Sequence, residues 1–380
     1  MTDFNRSEML TIGAEEELFV VDHKTKAPVS NGLAGFSTLL NGRSTGEIGG
    51  YDTEFQAAIV ETRTGICGSL GDLHSELVAL RRALADAADA EGRSVVCAGT
   101  LPIGDWRAVD VVPKPRYHQI ADHYHDVVRR RFTCGYHVHV GVDDRDRAVH
   151  VLNRVAPWLP TLLAVSASSP FFASRSTGYA SYRHTLWGGF PVAGPAPRFE
   201  SYSQYQQYAD MLIATGTILD AGHIYWDARL GTRFETVEFR IMDACPSVDD
   251  AVLVAALCRA LVLTVLREIE QGKPEVRMDQ PFLRAATWHA ARWGLDKDLI
   301  DVGAKEAVPA STMVERFLQY IRGALEDLKD FDAVSDLMRQ VSRSGNSAVR
   351  QRAILLRGGS LRDVTEQLVS LTDSGNVAVP

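Results

Sequence analysis

Cys134-Gly135-Tyr136-His137-Val138-His139-Val140-Gly141 is the stretch on which the reading of this chain turns. Its β-branched and aromatic residues mark a strand. Side chains two apart on a strand share a face, roughly 7 Å apart, so His137 lines up with His139. Two more stretches carry charge with the same period. Gly13-Ala14-Glu15-Glu16-Glu17-Leu18-Phe19 aligns Glu15 with Glu17 and turns Glu16 away, and Thr236-Val237-Glu238-Phe239-Arg240-Ile241 aligns Glu238 with Arg240. A face of carboxylates, imidazoles and one guanidinium is poor core material. It suits hard divalent cations and a polyphosphate.

Each element has a plainer reading. The three glutamates could be solvated charges on an edge strand, but Leu18, Phe19, Val20 and Val21 follow at once and argue for a central strand. Like charges on a buried face repel strongly unless cations sit between them. The His137/His139 pair is weak on its own; Gly135 and Gly141 on either side suggest close approach of a ligand or another backbone. Glu238 and Arg240 could form a salt bridge, or hold a cation and fork onto phosphoryl oxygens. In the segment 53–65, Glu61 and Arg63 share a face. Glu54 and Glu61 differ by an odd number, so either a bulge intervenes or Glu54 sits on the entering loop. Arg183 lies in an aromatic loop and could clamp a substrate carboxylate. Arg292 and Arg350, both on expected helices, are further candidates, with a surface charge as the alternative for each.

Composition narrows the classes. An apolar fraction of 46% with 23% charged residues is that of an ordinary globular protein, and 380 residues can bury a large core. Net charge is −8 with the signs mixed, which argues against a nucleic-acid partner. Met1 to Arg6 lack the apolar region of a secretory signal. The greasy stretch from Ala251 to Leu266 is interrupted by Arg259, so a buried helix is expected there rather than a membrane span. Five widely spaced cysteines without a CxxC pair predict free thiols in a reducing cytoplasm. No GxxxxGK[ST] or GxGxxG occurs, so a nucleotide would have to be held by metals and arginines.

Along the chain, strands are predicted near 9–22, 53–64, 94–100, 133–142, 221–227 and 234–242, and helices near 72–91, 145–167 and 203–218. Residues 166–199 are rich in Ser, Gly, Pro and aromatics and read as a long loop of the kind that covers substrates. From about Val248 the pattern is helical. The expectation is an α+β architecture in one catalytic domain spanning 1–380, with a sheet core at about 9–245 and a helical part at about 246–373.

Taken in order, Gly-Ala-Glu-Glu-Glu at 13–17, the Val60-Glu61-Thr62 strand, the 134–141 stretch, Glu238-Phe239-Arg240 and the Trp288–Gly294 run resemble the carboxylate–amine ligases of the type-two glutamate–cysteine ligase family. That family is similar in its core to glutamine synthetase, whose H-x-H and E-x-R strands match His137/His139 and Glu238/Arg240. The resemblance covers roughly residues 9–355. It implies a curved, mainly antiparallel sheet backed by helices, cradling ATP and two or three Mg²⁺ or Mn²⁺ ions. It makes Glu15, Glu17, Glu61, His137 and Glu238 metal ligands, with Glu54 a sixth. His139 and Arg240 would contact the transferred phosphoryl group. Arg63, Arg183, Arg292 and Arg350 are the candidates read from the residues for binding substrate, Arg183 for the amino-acid carboxylate. The implied partners are small molecules: ATP, glutamate and an amine such as cysteine. A homodimer is suggested by relatives, and no nucleic acid or membrane is expected. Two alternatives stay open. A metal-dependent amide hydrolase also uses H-x-H, though it should show a histidine-rich, zinc-binding remainder. A non-catalytic ATP-binding relative would keep the scaffold without turnover.

Overall fold

The strand Ile12–Asp22 (β1) runs through the middle of a seven-stranded sheet in the computed structural model, which describes residues 10–30 and 49–373. The other sheet strands are β2 (Gly50–Thr53), β3 (Ile59–Arg63), β4 (Arg93–Val96), β5 (Tyr136–Gly141), β6 (Ala228–Leu230) and β7 (Thr236–Phe239). Their order is β2-β3-β1-β5-β7-β6, with β4 beside the far half of β1, and every pairing is antiparallel. Residues 1–9, including the start of the sequence read for a signal, lie outside the described residues.

One face of this sheet is apolar and packed. Ile12, Ala14, Tyr136, Val138, Val140, Val237 and Phe239 are all buried in the main core. The helix Val248–Glu270 packs over them and is buried on every side as far as Leu266. Its Arg259 is fully buried and tolerated because it donates to the carbonyls of Leu10 (2.8 Å) and Gly68 (2.7 Å) and lies 3.6 Å from Asp330. Among the described residues no helix is long and apolar enough to cross a membrane. The helix Leu70–Asp89 starts at a capping box between Ser69 and Asp72 and buries Leu70, Leu73, Leu77, Leu80 and Leu84 along one stripe. Each such leucine contributes about 1.5–3 kcal/mol. Arg81, on the same buried face, forks onto Glu16 (2.9 and 2.6 Å) and also donates to the carbonyls of Pro246 and Cys245. That is where Glu16, the middle glutamate of the triplet, goes: into the core, paired.

Local differences from the sequence reading have simple causes. The expected helix at 145–167 is split into Arg145–Val155, a 3-10 turn at 156–158 and Leu159–Ser166, because Pro157 and Pro160 cannot donate to the helical ladder. The strand expected at 221–227 begins only at Ala228. Asp220 accepts from the Gly222 amide and winds 221–223 into a turn first. A β-hairpin, Asp298–Asp301 with Glu306–Pro309, interrupts the helical final third. The segment 166–199 holds a small hairpin and the helix Tyr182–Trp187. It is pinned by Asp243, which accepts from the Ser168 amide and the Ser169 and Ser181 hydroxyls.

Candidate active site

The opposite face of the sheet lines a cleft of about 520 Å³. Register decides what meets there. Glu15 lies between Arg63 on β3 and His137 on β5, and Glu17 is opposite Glu61. His139 pairs with Glu238 on β7, and Glu238 in turn with Arg229 on β6. Period-two alternation carries each row across several strands, so the residues the sequence aligned within single strands converge between strands. Glu15, Glu17, Glu54, Glu61, Arg63, His137, His139, Glu238 and Arg240 all line the cleft. Glu54 sits in the turn between β2 and β3, the loop solution to its parity conflict with Glu61.

Two groups of donors stand out. Glu15, His137 and Glu238 can each offer one atom within 4.8 Å of the others, and so can Glu17, Glu54 and Glu61. Hydrogen bonds fix these side chains. Glu17 accepts from the Gly135 amide at 2.6 Å, and His137 Nδ1 is 3.2 Å from Glu15. His139 Nδ1 is 3.1 Å from the Thr236 hydroxyl. The buried Nε2 atoms of His137 and His139 have no hydrogen-bond partner among the described residues.

Charge is unevenly compensated across the cleft. At Glu15 burial works against ionisation, but the bond to His137 and the nearness of His139, 3.6 Å away, win and hold the carboxyl well below its ordinary range. Glu238 is likewise lowered: Arg229 and Arg240 outweigh its burial. The second group is the reverse. Burial, then the Glu17 charge, pushes Glu54 up to about 7 despite Arg131, and burial with Glu15 and Glu54 raises Glu61 well above its ordinary value. Three crowded carboxylates short of positive charge, beside an oxygen-rich set with one imidazole, fit hard divalent cations. Imidazole in the first group suits Mn²⁺ as well as Mg²⁺.

The basic candidates separate. Arg240 lies beside Glu238 and donates to it. Arg63 stands between Asp52 (3.8 Å) and Glu61 (3.7 Å). Arg183 is buried beneath the cleft; its Nη2 lies 2.2 Å from where a Cβ on Gly135 would be. It lines a smaller adjoining pocket instead. Arg292 and Arg350 are not brought to the cleft. Arg292 stacks on Trp293 and donates to the Gly178 carbonyl. Arg350 is taken up by Asp250 (2.5 Å) and the Gly345 carbonyl. Neither side chain lines the cleft.

Sequence reasoning missed Arg229, which forks onto Glu238, and Arg131, which reaches Glu54 at 3.7 Å while lying over Trp187. It also missed Tyr117 and Tyr225, which line the cleft as well. A signal existed for Arg229: had the strand been placed at 228–230, Arg229 would have been read as facing the cleft.

The sequence profile of glutamate–cysteine ligase family 2 matches residues 11–367. A Rhodopirellula baltica protein provisionally named glutamate–cysteine ligase 2 is 37% identical over 95% of this chain and 96% of its own length. A Frankia alni protein provisionally named glutamate–cysteine ligase 2-3 is 39% identical over 96% of this chain; the chain spans only 42% of that protein. Among solved structures, the glutamate–cysteine ligase of Francisella tularensis in complex with AMP matches 98% of this chain and 90% of its own, with a TM-score of 0.73 at 13% identity. The α+β fold with an open, mainly antiparallel sheet of the glutamine synthetase-like type is thus shared with a known ligase fold. The chain belongs to glutamate–cysteine ligase family 2.

Proposed function

We propose that this chain is an ATP-dependent carboxylate–amine ligase that joins the side-chain carboxylate of glutamate to an amine, cysteine by default. The observation that carries the reading is the convergence, on one sheet face, of two facing donor groups with Arg240 and His139 beside them. In this reading the whole chain acts as one catalytic unit, in the cytoplasm, where five buried free thiols are at home.

The γ-phosphoryl of ATP passes to an oxygen of the glutamate γ-carboxylate, giving an acyl phosphate and ADP. The amine nitrogen then attacks the carbonyl carbon, phosphate leaves with the bonding pair, and the amine proton is lost. Glu15, His137 and Glu238, and Glu17, Glu54 and Glu61, would hold two or three Mg²⁺ or Mn²⁺ ions, which would supply charge neutralisation between two anionic reactants. Arg240 presents its planar fork to the phosphoryl oxygens, and His139 holds one of them. Arg229 braces Glu238, so that residue keeps its position and ionisation. Arg131 and Arg63 limit the repulsion around Glu54 and Glu61.

The test is phosphate release from ATP and Mg²⁺ with glutamate and a panel of amines including cysteine, with mass detection of products. Release that needs both partners, with a product of their summed mass less water, supports the reading. No release under any pairing, with Mn²⁺ also tried, would refute it.

A further inference from the structure

Beside the cleft, and sharing Tyr225 and Arg240 with it, lies a smaller pocket of about 80 Å³. Its walls hold an acid and two guanidiniums that do not meet. Asp227 is 5% exposed, and its Oδ2 has no hydrogen-bond partner among the described residues. Burial pushes its carboxyl up to about 7 despite Arg183 and Arg284, so a cation arriving there completes its ionisation. Its Oδ1 is 3.7 Å from His184 Nδ1. That imidazole does not neutralise it, because burial and then the Arg183 charge push His184 down to about 4. Arg183 is 3% exposed and its Nε is also unpartnered. Its remaining contacts are long, 3.4 and 3.3 Å to the carbonyls of Ile241 and Arg240. Arg284, from the helix Gln280–Trp293, closes the other side, 3.8 Å from where a Cβ on Gly194 would stand. Buried charges are normally paired and hydrogen-bonded. Here the buried Asp227 and Arg183 each keep an unpartnered polar atom, and Arg284 reaches the same pocket from an exposed position.

We propose that this pocket binds the zwitterionic head of a free α-amino acid, with its ammonium on Asp227 and its carboxylate on Arg183 and Arg284. A water needs about 10–15 Å³ of such space, so the volume admits an amino-acid head group and not a nucleotide. The choice of reactant rests on the ligase reading above. An ammonium held by a buried carboxylate has no free electron pair and cannot attack an acyl phosphate. The occupant is therefore the acid whose distal carboxylate is activated, not the amine. Its side chain passes Tyr225 and Arg240 into the cleft, which selects the side-chain carboxylate over the α-carboxylate.

Calorimetric titration of the full chain with glutamate, aspartate, 2-aminoadipate and glutarate, in Mg²⁺ and a non-hydrolysable ATP analogue, tests this. Glutarate is glutamate without its ammonium. Wild type is expected to bind its preferred amino acid about 100-fold tighter than the matching diacid, as a buried charge pair implies. Asp227→Asn should weaken the amino acid by a similar factor and leave glutarate nearly unchanged. Arg284→Ala, at an exposed position that does not threaten folding, should weaken both alike. Equal binding of glutamate and glutarate, no binding of any of the amino acids, or an unaltered Asp227→Asn would overturn the proposal. The ligase assay separates the two claims. Turnover with an unchanged KM for glutamate in Asp227→Asn would reject the pocket and keep the ligase. Asp227-dependent binding without turnover would keep the pocket and reject the ligase.

Discussion

Glu238 lies directly opposite Arg229 on the neighbouring strand and accepts from both its Nε (2.7 Å) and its Nη2 (3.2 Å). Arg240 donates to the same carboxylate from two residues further along the chain. One buried glutamate thus balances two guanidiniums while facing His139 and the cleft.

Glu238→Gln therefore has two expected effects. ATP turnover should fall by about 1,000-fold, since a ligand for a charge-stabilising cation is lost. Stability should also fall by about 3–5 kcal/mol, because two buried cations lose their counter-charge. Arg229→Met should cost comparable stability, while lowering turnover only about 10- to 100-fold through misplacement of Glu238. Urea unfolding with steady-state phosphate release checks both. Equal turnover losses in the two variants would contradict a supporting role for Arg229.

The crowding of Glu54 and Glu61 predicts a pH signature in chelator-treated protein. An acid raised on folding to about 7 stays protonated in the native state while the unfolded chain has already released its proton. The Glu54 contribution then falls as pH rises from the ordinary carboxylate range to about 7, and Glu61, raised in the same direction, adds to the fall. Glu15 and Glu238 are shifted the other way, so their contributions are complete above the ordinary carboxylate value and do not change across this window. Mg²⁺ should restore stability most at the high end, with proton release on binding. Unfolding midpoints between pH 5 and 8, with and without Mg²⁺, read this out (about the span over which these carboxyls titrate). Glu54→Gln should show a shallower fall.

The Glu16–Arg81 pair on the core face makes a contrasting case. Both side chains are about 1% exposed, and Arg81 also satisfies two carbonyls. Arg81→Met is expected to cost about 3–5 kcal/mol by stranding Glu16. The double variant Glu16→Gln with Arg81→Met should recover part of that loss. The cleft face is untouched, so any of the double variant that folds should keep its KM for ATP. A changed KM would show that the two faces of β1 are not independent.

How far the site was legible follows from the same strand. Alternation alone put Glu15 with Glu17, His137 with His139 and Glu238 with Arg240, because period two is a local property of backbone geometry. The odd spacing of Glu54 and Glu61 left a bulge or a loop position for Glu54, and the turn after β2 is the second of these. Arg131, Tyr225 and Asp227 were invisible, since each reaches the site from a loop or short helix whose path depends on tertiary packing. Arg350 erred the other way: nothing local announces that Asp250, a hundred positions earlier, takes its guanidinium. Period marks which residues share a face; only the register between strands decides which of them meet.

Gly135 shows how closely the two pockets are fitted together. It precedes β5, its amide donates to Glu17 at 2.6 Å, and it presents no side chain toward Arg183. A Cβ there would stand 2.2 Å from Arg183 Nη2 and 3.1 Å from His137 Nε2. Arginine ends usually swing aside at little cost. This one is 3% exposed, and the space open to it is the smaller pocket that it lines, so it would swing into the substrate's place. Gly135→Ala is therefore expected to displace the guanidinium, lowering kcat/KM for the carboxylate substrate about 10- to 100-fold, as misplacement of a positioning group does. The KM for ATP should move far less, because the displaced group faces the smaller pocket. Removing Arg183's bulk in Gly135→Ala with Arg183→Ala should relieve the clash and restore the melting temperature without restoring activity. If the single variant instead keeps wild-type kcat/KM, Arg183 does not help to hold the substrate.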